Sequence, residues 1–164
     1  MIGQALLACV IIERLAELLI AARNTKALKA RGAIETGASH YPVMVALHVS
    51  FLAAVIAWVA LTQPPVNPFF AVAYVLVQVL RLWVMGSLGR YWTTRIISLP
   101  DAPLVISGPY KFMRHPNYVV VTLEVALLPL VFGAYPIAAV FSVLNAAMLY
   151  VRIRAENTAL SARR

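Results

Sequence analysis

Charged side chains are scarce in this chain. Only 12% of its 164 residues are Asp, Glu, Lys or Arg, and six of them are acidic. Soluble domains are about a quarter charged, so a chain this poor in charge cannot cover its apolar surface in water. With 62% hydrophobic residues and a mean hydropathy of +0.83, it reads as an integral membrane protein. Cysteine is scarcer still. The lone Cys9 excludes an intrachain disulfide and a cysteine-based metal centre. His40, His48 and His115 do not pair at helical spacing, so no zinc-type motif exists and no metal is expected. A glycine-rich nucleotide fingerprint and a Walker A sequence are also missing. A nucleotide-like cofactor would therefore bind without a Rossmann domain. No Lys or Arg precedes the first apolar run and no small-residue cleavage site follows it, as expected of a retained first helix rather than a signal peptide.

What the chain has is apolar length. A spanning helix needs about 20 mostly apolar residues. Residues 2–22 meet this with Glu13, Arg14 and Glu17 inside, 42–62 meet it cleanly, and 68–88 meet it around Arg81. Residues 117–151 are too long for one span, and Gly133, Tyr135 and Pro136 divide them into 117–132 and 135–152. The pattern predicts an all-α fold, a polytopic membrane bundle of about five transmembrane helices and no strands. Residues 1–164 form a single domain with no internal repeat.

The net charge of +8 does not point to nucleic acid, because the 14 Lys and Arg cluster between the apolar runs. Arg23, Lys26, Lys29 and Arg31 fall in 23–40, and Arg90, Arg95, Lys111 and Arg114 in 89–116. Arg152, Arg154, Arg163 and Arg164 follow the last run, while the connections at 63–67 and 133–136 carry no charge. This alternation predicts basic segments in the cytoplasm, the N-terminus outside and the C-terminus inside.

The densest polar segment is Ser107-Gly108-Pro109-Tyr110-Lys111-Phe112-Met113-Arg114-His115-Pro116-Asn117-Tyr118, within a long connection that also holds Trp92 and Asp101. Pro116 suits the first turn of a helix, whose free N–H groups and dipole would place His115 and Tyr118 beside a site for a carboxylate or phosphate. The same residues also suit plain interfacial anchoring. A second cluster, Arg152-Ile153-Arg154-Ala155-Glu156-Asn157, puts Arg152 and Glu156 on one helix face. It is open to the same two readings. Glu13 and Glu17 share a face, Arg14 is spaced to pair with Glu17, and Glu124 and Arg81 are further ionisable groups at membrane depth. Pairing between helices is expected for Arg14 and Glu17. Glu13 and Glu124 stay open between pairing and lining a cavity, and His48 is expected to bond between helices.

In combination, Ser107-Gly108-Pro109-Tyr110, Arg114-His115-Pro116-Asn117-Tyr118, an apolar hairpin, then Arg152-Ile153 and Glu156 resemble the isoprenylcysteine carboxyl methyltransferase family, over residues 86–160. The resemblance implies an S-adenosyl-L-methionine-dependent methyltransferase. It implies a cofactor held by His115, Tyr118, Glu156, Arg114 and Tyr110, and it carries the family's C-terminal Arg and Glu onto Arg152 and Glu156. In the catalytic set expected here, Arg152 or Arg154 orients an anionic acceptor, and Glu156 is the base if the acceptor is a neutral hydroxyl. The chain departs from the family pattern at Asn157, Val119 and Val120, and it has no aromatic-rich tail. The segments 37–42 and 90–95 look more like a bacterial subgroup that O-methylates long-chain alkylpyrones beside type III polyketide synthases. The resemblance thus implies a lipophilic small-molecule acceptor, the bilayer as surroundings, and a bacterial inner membrane. A lipid N-methyltransferase, a related membrane reductase and a non-catalytic scaffold or carrier are the competing readings. A carrier commonly shows paired repeats, which this chain lacks.

Overall fold

The computed structural model describes residues 2–100 and 102–161; Asp101, Arg163 and Arg164 lie outside the described residues. The five expected helices are there: α1 (Ile2–Ala30), α2 (Tyr41–Thr62), α3 (Pro68–Leu88), α4 (Pro116–Val131) and α5 (Tyr135–Ser161). Stretches Ala38–Thr62, Pro68–Tyr91 and Tyr135–Ala159 are long and apolar enough to cross a membrane. The chain is an all-α membrane bundle. Helix α1 is interrupted by charge and α4 is only 16 residues long, so these two depend most on their neighbours.

Local chemistry sets the ends. Asn67 caps α3 by accepting from the N–H groups of Phe69 and Phe70, with Pro68 in the first turn. Gln63 closes α2 in the left-handed region, at φ 43°. At the same end of the bundle, Gly133 turns the chain between α4 and α5 at φ 63°, a conformation glycine adopts at no steric cost. Two bonds clasp the turns together. Asn67 N–H donates to Val131 O at 2.9 Å and Trp58 Nε1 donates to Phe132 O at 3.0 Å. Leu7, Val10, Phe51, Val55, Tyr74, Val125, Leu128 and Phe132 pack beneath this clasp.

The ionisable groups of the first span are paired. Arg81 of α3 bonds both Glu17 and Glu124, the latter at 2.7 Å. Arg14 bonds Glu17 at 3.0 Å, Gln78 at 2.9 Å and Glu124 at 2.8 Å. Two guanidinium and two carboxylate groups thus neutralise one another and tie α1, α3 and α4 together, as buried charges in a membrane require. The expected Arg14–Glu17 pairing is present, and Glu124 joins the same network. Glu13 lies 3.6 Å from Arg14 at its edge.

Three expectations need correction. A strand pair exists: β1 (Ile34–Thr36) runs antiparallel to β2 (Ile96–Ser98), with Glu35 opposite Ile97. Three residues are too few to show an alternating pattern in sequence. Glu35 on β1 bonds Lys29 and Arg95, each at 2.5 Å, and Arg95 lies 3.9 Å over the Tyr41 ring. The ribbon therefore fastens the α1–α2 connection to the segment after α3. Helix α1 continues to Ala30, so Arg23, Lys26 and Lys29 are helical and not in a loop. Helix α5 likewise continues to Ser161, because Arg154, Ala155 and Glu156 are good helix formers.

Candidate active site

The segment ahead of α4 and the last turns of α5 come together. His115 is the residue before α4, Pro116 occupies the first helical turn, and Tyr118 follows His115 by three residues in that turn. The Tyr118 hydroxyl donates to Glu156 Oε2 at 2.5 Å. His115 Nδ1 lies 3.5 Å from the same oxygen, and His115 Nε2 lies 3.1 Å from Asn157 Oδ1. The two rings stack, with centroids 5.4 Å apart. The hydrogen bond to Glu156, reinforced by its negative charge and opposed by burial, holds the His115 imidazole above its usual pKa and favours the charged ring. Burial pushes the Tyr110 hydroxyl well above its ordinary value, so Tyr110 remains a neutral donor.

These residues line a cavity of about 630 Å³, together with Tyr110, Arg114, Arg95 and Tyr91. A second cavity of about 260 Å³ lies between the helices and is lined mainly by apolar groups of α2, α4 and α5, including Met44, Phe51, Val121 and Met148. Trp92, Thr93, Asn117, Tyr118 and Arg152 line both cavities and mark their junction. Arg152 is buried there. Its guanidinium donates to Thr94 O at 3.1 Å, contacts Met44 Sδ at 2.8 Å and sits 5.9 Å from the Tyr118 ring centre. Glu156 bonds Tyr118 and His115 instead. Arg152 and Glu156 share a helix face, as the spacing predicts, but no direct hydrogen bond joins them among the described residues. Arg152 is thus a buried cation hydrogen-bonded to neutral groups, with the Glu156 carboxylate close enough to act on it through charge.

Polar groups at the junction are under-satisfied. Trp92 Nε1, Asn117 Oδ1 and, in the smaller cavity, Asn145 Oδ1 are buried with no hydrogen-bond partner among the described residues. Buried polar atoms are nearly always paired, so three orphans around one pair of cavities fit a site that receives polar ligands. The larger cavity falls within the range of small-molecule sites. Its neutral tyrosine hydroxyl, imidazole, carboxylate and guanidinium suit a zwitterionic cofactor that carries both charges and a polar ring. The donor set therefore fits S-adenosylmethionine.

Of the residues singled out in the sequence, Tyr110, Arg114, His115, Tyr118, Arg152 and Glu156 converge on the larger cavity. Arg154 does not. Two positions from Arg152, it points to another face of α5, where it lies exposed over the Tyr150 ring at 4.5 Å and lines neither cavity. Among the described residues His48 makes no bond between helices: its Nδ1 pairs with Met44 O in its own helix at 2.8 Å, and the ring lines the smaller cavity. Sequence reasoning passed over Asn117, Asn145 and the site position of Trp92. Asn145 left a legible signal, a lone carboxamide inside an otherwise apolar span.

Residues 70–162 match the isoprenylcysteine carboxyl methyltransferase (ICMT) family, and the chain belongs to that family. Among curated relatives, it is 46% identical over 158 residues to an uncharacterized protein of Bacillus subtilis, YpbQ, with 94% of each chain covered. It is 31% identical over 164 residues to an uncharacterized protein of Haemophilus influenzae, covering 94% of this chain and 92% of the relative. No solved structure matches the chain.

Proposed function

We propose that the protein is an S-adenosylmethionine-dependent O-methyltransferase acting on a lipophilic acceptor with an acidic oxygen, an alkylpyrone-like enol or a prenylcysteine-like carboxylate. The observation that carries this reading is the junction of a polar and an apolar cavity at Trp92, Thr93, Asn117, Tyr118 and Arg152. Two reactants entering from opposite sides would meet there. When bound, the cofactor supplies a methyl on a sulfonium: the acceptor oxygen bonds the methyl carbon, the carbon–sulfur bond breaks, and its electron pair stays on sulfur as a neutral thioether.

The chain's own residues mainly hold and orient. His115, Tyr118, Glu156, Arg114 and Tyr110 bind the cofactor in the larger cavity. Arg152, a buried guanidinium whose hydrogen bonds go to the neutral Thr94 O and Met44 Sδ, draws an anionic acceptor to the junction. Apolar side chains of α2, α4 and α5 take the lipid tail and exclude water. Good orientation of two reactants contributes about 7–11 kcal/mol of barrier reduction. A strong general base is unnecessary for an acidic oxygen, and Glu156 is committed to Tyr118 and His115.

The same geometry disfavours an amine acceptor. Glu17 and Glu124 line the smaller cavity but are neutralised by Arg14 and Arg81. The basic segments between the apolar runs favour a site on the cytoplasmic face of a bacterial inner membrane, with the N-terminus outside. Calorimetric binding of S-adenosylhomocysteine in detergent, followed by side-by-side methylation of an alkylpyrone and a farnesylcysteine analogue, tests the reading. Binding with turnover of the alkylpyrone supports it. Absence of binding removes it, and turnover of the farnesylcysteine analogue alone restricts it to the prenylcysteine branch.

A further inference from the structure

Trp92 is 3% exposed, and its backbone is fixed at both ends: its N–H donates to Gly89 O at 3.0 Å and its carbonyl accepts from Asn24 Nδ2 at 2.9 Å. Its ring packs against Ala21, Val77, Val84 and Val120, with the Arg81 guanidinium 5.6 Å from the ring centre. Everything about this side chain is satisfied except one atom. The indole Nε1 is buried and has no partner among the described residues, in a residue that lines both cavities where they meet. Indole N–H is a donor only, and a buried donor left unpaired is costly. A rigid ring with one idle donor, in a residue that lines the same two cavities as Arg152, is what an oxygen-bearing ligand head would complete.

We propose that Trp92 is a specificity residue on the acceptor side, its indole N–H holding the second oxygen of an acceptor whose reacting oxygen is drawn in by Arg152. This inference rests on the methyltransfer reading above and sharpens its substrate class. The acceptor is a delocalised two-oxygen anion, such as a carboxylate or the enolate of a β-dicarbonyl, and not a single-oxygen phenol, alcohol or amine. The guanidinium supplies charge, which any anion satisfies. The N–H adds direction, because it sits on a fixed ring and reaches one place. With the second oxygen held, the reacting oxygen keeps one orientation toward the larger cavity. An acceptor lacking that oxygen leaves the N–H unpaired, and sites built to bond a substrate group discriminate strongly against analogues without it.

Trp92→Phe removes the donor but also shrinks the ring. A tryptophan analogue with sulfur in place of the ring nitrogen, incorporated at position 92, keeps the ring and removes only the donor. Both proteins are compared with wild type by thermal unfolding in detergent, by S-adenosylhomocysteine affinity, and by KM and kcat for an alkylpyrone, a farnesylcysteine analogue and an alkylphenol. The sulfur analogue is expected to unfold at the wild-type temperature, because Nε1 makes no bond to lose. It should bind S-adenosylhomocysteine normally and lose about 10- to 100-fold in kcat/KM, mostly in KM, for whichever two-oxygen acceptor the wild type methylates. Unchanged kinetics would overturn the proposal. So would a parallel loss of S-adenosylhomocysteine affinity, which would assign the N–H to the cofactor, or a wild type that methylates the alkylphenol alone. A wild type that binds no S-adenosylhomocysteine and transfers no methyl would instead remove the proposed function, and this inference with it.

Discussion

The Tyr118 hydroxyl donates to Glu156 Oε2 at 2.5 Å across 38 residues of sequence, joining the first turn of α4 to the last turns of α5. This bond, with His115 3.5 Å from the same oxygen, turns two separate sequence motifs into one wall of the larger cavity. A carboxylate that orders two aromatic donors is the structural centre of the proposed cofactor site.

Glu156→Gln should therefore weaken S-adenosylhomocysteine binding by about 10- to 100-fold, the usual loss when a charge-assisted hydrogen bond goes. His115→Ala should act in the same direction. Isothermal calorimetry checks both, and wild-type affinity in both variants would contradict the assignment.

The His115 imidazole provides a pH signature. Its pKa in the folded protein is raised above 6.5 by Glu156. A raised value means the folded state binds the proton more tightly, so the stabilisation is fully present below pH 6.5 and is lost as pH rises through the folded value. Thermal unfolding should fall over that window in the wild type, and the fall should shrink in His115→Phe.

Glu35 should behave in the opposite sense. Its bonds to Lys29 and Arg95 hold its carboxyl below the ordinary 4.5. The contribution of the β1–β2 ribbon is thus present above that pH and lost as pH falls through the lower folded value. Glu35→Gln should remove this acid-side loss, read by proteolysis of the 31–40 segment against pH.

Much of this was legible in sequence because membrane helices announce themselves by apolar length. The five helices followed from that length together with the turn signals at Gly133, Tyr135 and Pro136. The helix end at Ala30 did not, since charged helix formers look like loop outside a span, while the shared face of Arg152 and Glu156 carried α5 past its span without giving its end at Ser161. The ribbon of β1 and β2 was illegible, because its register depends on a partner about 60 residues away. Arg152 and Glu156 were found by their motif, but their partners were not, since helical spacing gives a shared face and no orientation. Trp92 stands out only once the packing reveals which polar atoms were left unpaired, whereas Asn145 was visible as a lone carboxamide in an apolar span.

Arg81 tests the packing account. Arg81→Met leaves Glu17 and Glu124 facing each other with Arg14 as their remaining counter-charge. Removing one partner of a buried charge network costs about 3–5 kcal/mol. The variant should unfold at a markedly lower temperature in detergent, and wild-type stability would mean that the network is solvated.

Orientation is testable in a Cys9→Ser background. A cysteine replacing Pro65, in the uncharged connection between α2 and α3, should react with an impermeant maleimide only from outside the cell. Reaction only from the cytoplasmic side would invert the topology.

The most direct measurement of the central claim is methyl transfer itself. Membranes containing the wild-type protein are incubated with methyl-labelled S-adenosylmethionine and a lipid extract, beside membranes containing Arg152→Ala, and the lipid-soluble products are identified by mass spectrometry. The account predicts a labelled O-methyl product from the wild type, reduced by at least about tenfold in the variant, as expected when a buried charge contact to the acceptor is lost. No labelled product from wild-type membranes, or an equal yield from Arg152→Ala, would contradict it.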